Sequence, residues 1–245
     1  MNNVDFYNSI STFYDDMINL DSSVNTKKKL FPNFIKENYK TAIDLGCGSG
    51  ADSIALASLG LQVTAYDKST KMLEFAGNNS KRYDCKIKFS HSDIFKVAHP
   101  VKSCDLIISM GNTLANIPLI IINKIFKNVY HSLRVGGSFL FQILNYDRIL
   151  FGEERIVGTT ENENSIYVRF YDFEKNKLGF NILSIPKNEL KNTQLFTTII
   201  YPHSKGAIVK SLDAAGFSEI RVYGSLLKEK YTKRDSKDLF IHSIK

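Results

Sequence analysis

The chain has 245 residues, 43% hydrophobic and 12% aromatic, with a formal charge of +7. That length suits one compact α/β domain, and no apolar run reaches the roughly 20 residues needed to span a bilayer. The basic residues cluster only modestly, at Lys27 to Lys29 and at Lys228 to Lys237, where Glu229 and Asp235 interrupt them, so a solvated surface is the expected reading and a nucleic-acid partner is not favoured. The opening stretch MNNVDFYNSISTFYDD carries acids where a signal peptide would carry a basic flank and an apolar core, so cytoplasmic residence is expected. Cys47, Cys85 and Cys104 have no paired spacing and read as reduced bystanders.

In chain order, residues 1–40 form an N-terminal helical segment. Thr41 to Leu45 is an apolar run ending in a glycine-rich turn, the pattern of a buried parallel strand. Ala51 to Leu59 reads as a short helix stopped at Gly60, and Leu61 to Tyr66 as the second strand. Either Ser69 or Thr70 caps a helix through Ala76, Lys86 to Ser90 is the third strand, and Asp105 to Ser109 the fourth. A longer helix from Leu119 to Leu133 ends before Gly136 and Gly137, and Ser138 to Leu144 supplies a fifth strand. Five β/α units imply a Rossmann-like, doubly wound sheet.

After Asn145 the period changes. Ser165 to Phe173 and Leu178 to Ile185 flank Glu174, Lys175, Asn176 and Lys177 as an antiparallel hairpin, with a third strand from Gln194 to Tyr201. A helix from Ser204 to Ala215 stops at Gly216, and strands at Glu219 to Tyr223 and Leu239 to Ser243 bring the main sheet to seven. The expected organisation is one domain: a helical segment over 1–40, a cofactor core over 41–149, an antiparallel β cap inserted over 150–202, and a closing helix and strands over 203–245. The cap belongs over the crevice at the carboxyl ends of the strands.

The chemistry sits on the first β/α turns. Asp44, Gly46, Cys47, Gly48 and Gly50 form a strand-to-helix turn whose alternate glycines let backbone amides approach a ligand. The order G-x-G-x-G differs from the dinucleotide fingerprint G-x-G-x-x-G, which disfavours nicotinamide. Asp67 closes the second strand, where a carboxylate can accept both hydroxyls of a ribose, with Lys68 beside it; Met72 is placed to pack on an adenine. Ser92, Asp93 and Ile94 follow the third strand, Asp93 positioned to accept an adenine amino proton and Ile94 to supply an apolar contact. Each has a blander reading taken singly: a cap for Asp67, core for Met72, a turn for Asp93. His91, His99, His131 and His242 show no metal-ligand spacing, and no metal is expected.

The run AIDLGCGSGADSIALASLGLQVTAYDKSTKML resembles the cofactor segment of class I S-adenosylmethionine-dependent methyltransferases, and within them the glycine N-methyltransferase branch. MGNTLANI, VGGSFLFQILNYDRIL, IYPHSKGAIVKSLDAAGF and LFIHSIK are similar to that branch as well. The resemblance implies transfer of a methyl group from S-adenosylmethionine, giving S-adenosylhomocysteine, to a small-molecule acceptor, most simply the amine of glycine or sarcosine. It implies cofactor contacts from Gly46, Gly48, Gly50, Asp67, Met72, Asp93, Ile94 and Met110, with Tyr7 and Asn112 as further members. It also implies that Asn145 holds the acceptor and that Tyr201 and Arg169 anchor its carboxylate. His203 is the alternative base, beside a structural reading as a helix-start histidine. The family's arginine ahead of the first strand has no clear counterpart; Lys27 or Lys28 stands nearest, without its bidentate fork. The long N-terminal arm of the animal enzymes is not seen, so their tetramer is not carried over, and a monomer or homodimer is expected. The rival readings are an O-methyltransferase, an RNA methyltransferase suggested by the charge, and a cofactor-binding regulatory protein without turnover.

Overall fold

A computed structural model describes residues 2–96, 103–152, 155–175 and 177–245, so His99 and Asn176 of the hairpin turn lie outside the described residues. The main sheet runs β1 (Thr41–Leu45), β2 (Gln62–Asp67), β3 (Ile87–His91), β4 (Cys104–Ser109), β5 (Leu133–Leu144), β10 (Glu219–Tyr223) and β11 (Asp238–Ile244). Its spatial order is β10-β11-β5-β4-β1-β2-β3, and β11 alone pairs antiparallel to its neighbours. This is the class I methyltransferase architecture expected from the sequence. The order reverses between β1 and β4, which opens a crevice at their carboxyl ends.

Strand alternation sends one set of side chains to each face. Ile43, Ile107, Phe139, Phe141 and Ile241 pack under α5 (Leu119–Ser132) and α7 (Lys205–Ala215). Ala42, Val63, Ala65, Leu106 and Ile108 pack on the other face with α3 (Ala51–Ser58). The fourth helix, α4 (Thr70–Arg82), is capped by Ser69, whose hydroxyl accepts the Met72 amide, and it runs six residues past the expected end at Ala76.

Two differences from the sequence reading have physical causes. Gly136 and Gly137 do not stop the helix; they lie inside β5, where the pairing with β4 shifts register between Cys104 and Leu106. A side chain at Gly137 would press within about 3 Å of the Arg134, Asp105 and Cys104 carbonyls, so glycine is required by close backbone approach. The cap also has four strands, β6-β7-β8-β9, since Ile156–Glu161 pairs with Ser165–Phe173 ahead of Leu178–Pro186 and Gln194–Ile200. Gly158 and the paired threonines interrupt the alternation that marks the other cap strands. A short helix, α6 (Tyr146–Gly152), precedes it.

The N-terminal segment forms α1 (Asn3–Ile18) and α2 (Leu20–Leu30) with Asn19 as their corner. Asn19 adopts a left-handed conformation that ends α1, and its side chain accepts the Ser22 amide to start α2, a double duty that asparagine performs with little steric penalty. Phe6, Ile10 and Met17 of α1 pack with Tyr167 and Ile182 of the cap, and Phe13 stacks on Tyr167 with centroids 5.0 Å apart. The helix is thus wedged between the cap and the core, over the crevice. Among the described residues no helix is long and apolar enough to cross a membrane.

Candidate active site

The crevice opens into a cavity of about 970 Å³, its mouth included. Its floor is the glycine turn after β1. Gly46, Gly48 and Gly50 all have positive φ, so the turn is a run of conformations that L side chains rarely adopt. The amides were expected to face a ligand; they are instead consumed in shaping the turn. Gly46 and Cys47 donate to the Tyr66 carbonyl, Gly48 to Asp67 Oδ2 at 2.9 Å, and Gly50 to the Cys47 carbonyl. The turn contributes Gly46, Cys47, Gly48 and Ser49 to the cavity wall.

Asp67 is the hinge of this arrangement. Its Oδ2 accepts from Gly48 and its Oδ1 from Ser69 at 2.8 Å, and each oxygen keeps a second lone-pair direction. Burial pushes its pKa up, opposed by those two amide bonds. Lys68, Asp93, Ile94 and Met110 continue the wall, and Tyr7 closes it from α1. Asp93 Oδ1 accepts the Phe95 amide at 3.3 Å, so it also holds its own turn. Tyr7 accepts a hydrogen bond from Asn116 Nδ2, and burial raises its pKa to about 12, so the phenol stays protonated.

Several expected contacts lie elsewhere. Asp44 is 1% exposed behind the turn and accepts the Ser53 hydroxyl at 2.6 Å; burial and the nearby Asp52 charge raise its pKa. Met72 is buried against Phe6, Ile10 and Tyr167 and is not part of the cavity wall, because α1 occupies the space beside it. Gly50 faces Ala76, where a Cβ would lie 3.2 Å from the alanine methyl, so it spaces α3 from α4. Ser92 turns its hydroxyl to the Asp93 carbonyl. Asn112 is spent on Tyr146 and on the Leu144 amide, which fixes the loop after β4 to β5.

The acceptor-side residues are engaged in contacts of their own and are not part of the cavity wall. Asn145 is 1% exposed; its Nδ2 donates to the Lys233 and Ser236 carbonyls at 3.1 and 2.8 Å, and its Oδ1 accepts from Tyr231. It clamps the loop before β11 and does not reach the cavity. His203 is also buried, with Nε2 bonded to the Ile117 carbonyl at 2.8 Å, and desolvation lowers its pKa. That bond is the one expected of a histidine holding the start of a helix, and His203 is not part of the cavity wall. Tyr201 stacks beside His203 while its amide donates to Ala115, so the two residues buckle the cap to the loop that follows β4. Arg169 donates to Thr160 Oγ1 at 3.2 Å, on the strand face it shares with Tyr167 and Tyr171, and is not part of the cavity wall.

The sequence reading had not assigned Tyr14, Ser23, Asp52, Thr113 and Asn116 to the wall. The spacing of Tyr7, Tyr14 and Ile18 on one helical face was the available signal for the first. Lys27, grouped with a solvated basic run, lies in the wall paired to Asp52; Lys28 is not part of it. Together the wall offers a carboxylate with open lone pairs, a cation beside an anion, and apolar flanks at Ile94 and Met110. That donor set fits an adenosyl amino acid. Among the described residues no cluster of metal-ligating side chains is present.

Residues 42–137 match a methyltransferase domain model. The chain is 26% identical to glycine/sarcosine N-methyltransferase of Aphanothece halophytica, an alignment covering 95% of this chain and 86% of that one. It is 29% identical to a ubiquinone biosynthesis O-methyltransferase of Coxiella burnetii over 54% of its length and 57% of the other's. The fold matches a crystal structure of an S-adenosylmethionine-dependent methyltransferase from Clostridium acetobutylicum with TM-score 0.73, at 20% identity, over 97% and 98% of the two chains. With this sheet order, this turn and this domain match, the protein is a class I S-adenosylmethionine-dependent methyltransferase.

Proposed function

We propose that the acceptor is a small amine of the glycine and sarcosine type. The observation that carries this reading is the roof: α1 lies across the site, wedged against the cap, and contributes Tyr7 and Tyr14 to the wall. A site covered by a helix and lined by two phenols suits a small molecule better than a polynucleotide. The similarity to glycine/sarcosine N-methyltransferase supports it, since that alignment runs through the cap, whereas the O-methyltransferase alignment spans little more than half the chain.

Within this reading Asp67 takes the ribose hydroxyls on its remaining lone pairs, Asp93 and Ile94 meet the adenine, and Gly46 to Gly48 allow close approach. The bound cofactor supplies a methyl group already activated by its sulfonium. The chain's own work is then to orient a neutral nucleophile and exclude water, which are positioning effects. Tyr7 and Tyr14 serve as neutral hydroxyl partners, because burial raises both phenols. Arg169 is the cationic group of the inner cap face; desolvation lowers its pKa, which makes it receptive to a carboxylate partner.

The test is transfer of labelled methyl to a panel of glycine, sarcosine, other small amines, hydroxylated metabolites and total RNA. Label in glycine or sarcosine is the expected result. Label confined to hydroxylated metabolites, or to RNA with a steep salt dependence, would replace the reading. Cofactor binding with no label in any acceptor would favour a regulatory protein.

A further inference from the structure

The cap sheet has two faces, and α1 covers only the one that carries Tyr167 and Ile182. On the opposite face the register sets Val168, Leu183 and Leu195 in one row across β7, β8 and β9, Ile166 opposite Ile185, and Ile156 opposite Phe170. Ile156 and Leu195 are 60% and 56% exposed, and the other five are half-buried. Among the described residues, none of the seven packs into an apolar cluster with another element. An antiparallel sheet with one solvated face alternates apolar with polar side chains; this sheet is apolar on both faces. A contiguous patch of that kind marks an interaction surface. By register only Glu161 and Asp172 bring charge to it, at opposite ends, and each has a cation beside it: Lys187 at 2.6 Å and Arg155 at 3.8 Å. The central polar side chain, Asn181, is 2% exposed and satisfied within the face, donating to Asp172 Oδ2 at 2.8 Å and accepting from the Thr197 hydroxyl at 2.6 Å.

We propose that this face is the interface of a homodimer, in which the cap sheets of two copies pack face to face about a twofold axis. Charge selects the partner. Two chains of +7 repel where their basic surfaces meet, but this face is neutral, so a second copy can close on it without that cost. An acidic partner would need unpaired cations, which the face does not offer. Area agrees with the same occupant. With strands about 4.8 Å apart and about 3.3 Å per residue, four strands of this length cover on the order of 500 Å² before corrugation is counted. Two such faces bring together roughly 1,000 Å², the size at which a specific interface begins. Twisted antiparallel sheets pack in this way about 10 Å apart, their apolar side chains interleaved. The sheet is a single layer, and Phe13 of α1 stacks on Tyr167 from its other side. A partner sheet therefore also braces the strands that hold the roof over the site.

Sedimentation equilibrium on the full chain tests it, with a mass twice the 27.8 kDa of one chain expected at micromolar concentration. Leu183→Glu, at the centre of the face, should raise the dimer dissociation constant at least about 100-fold, because it sets two unpaired carboxylates across the interface. Should that variant fail to fold, as read from its circular dichroism, Leu195→Glu decides, since it starts from a mostly exposed position on the edge strand. Leu227→Glu, in the loop between β10 and β11 and 63% exposed, should leave the dimer unchanged. An unmodified protein that sediments as a single chain throughout, or a dimer that survives both cap variants, overturns the proposal. So does a monomer that binds phosphatidylglycerol vesicles and loses that binding in Leu195→Glu, which assigns the face to a lipid surface.

Discussion

Thr113 stands directly over Gly46: a Cβ added at Gly46 would lie 2.3 Å from the threonine Cγ2, and the threonine hydroxyl donates to the Gly46 and Met110 carbonyls. The loop after β4 is therefore seated on the glycine turn after β1, and the two sides of the crevice are in contact at its floor.

Gly46→Ala combines that clash with a φ of +81°, and should destabilise the protein by roughly 2–4 kcal/mol. Thr113→Ser in the same chain removes the offending methyl and should recover part of the loss. Urea unfolding of the two single variants and the double variant measures it; strict additivity would show that the contact is not the cause.

Asp67→Ala removes the acceptor of both the Gly48 and Ser69 amides. Affinity for S-adenosylhomocysteine should fall at least about 100-fold, since turn and nucleoside lose the same carboxylate. Titration calorimetry reads this directly, and an unchanged affinity would remove Asp67 from the site.

Asn145→Ala should act on stability and not on the acceptor. Loss of the buried amide leaves the Lys233 and Ser236 carbonyls and the Tyr231 hydroxyl without their partner, a cost on the order of 3 kcal/mol. Trypsin should then cut faster within residues 228–237. A variant with unaltered melting and proteolysis but a raised acceptor KM would restore the substrate role that the sequence suggested.

His242 sets the acid side of the stability profile. Burial, and then the charges of Lys228, Arg221 and Lys36, lower its pKa from 6.5 to about 4. The fold thus favours the neutral ring; this contribution is intact above pH 6.5 and is lost progressively as pH falls towards 4, reaching about 2 kcal/mol at pH 5. His203 is shifted in the same direction and adds to the trend. His242→Phe, packed against Phe34, should flatten the fall in melting temperature between pH 7 and 5. An identical slope in the variant would place the acid sensitivity elsewhere.

The seven-stranded sheet was legible in the chain because its signals are local. Apolar runs of strand length, glycines at left-handed positions and Ser69 at a helix cap are each read within a few residues. The same holds for the turn from Gly46 to Gly50 and for the carboxylates at the following strand ends. What sequence spacing does not carry is the direction of a side chain once distant segments meet. Asn145 follows β5 as expected, yet the loop before β11 folds over it and takes its hydrogen bonds. Met72 sits one turn into its helix as expected, yet α1 packs on it first. Lys27 reads as one of three surface lysines until α2 docks on α3 and turns it inward to Asp52. Local periodicity determined the fold and the cofactor turn; contacts between segments far apart in the chain decided which polar side chains face the cavity and which are consumed in holding it open.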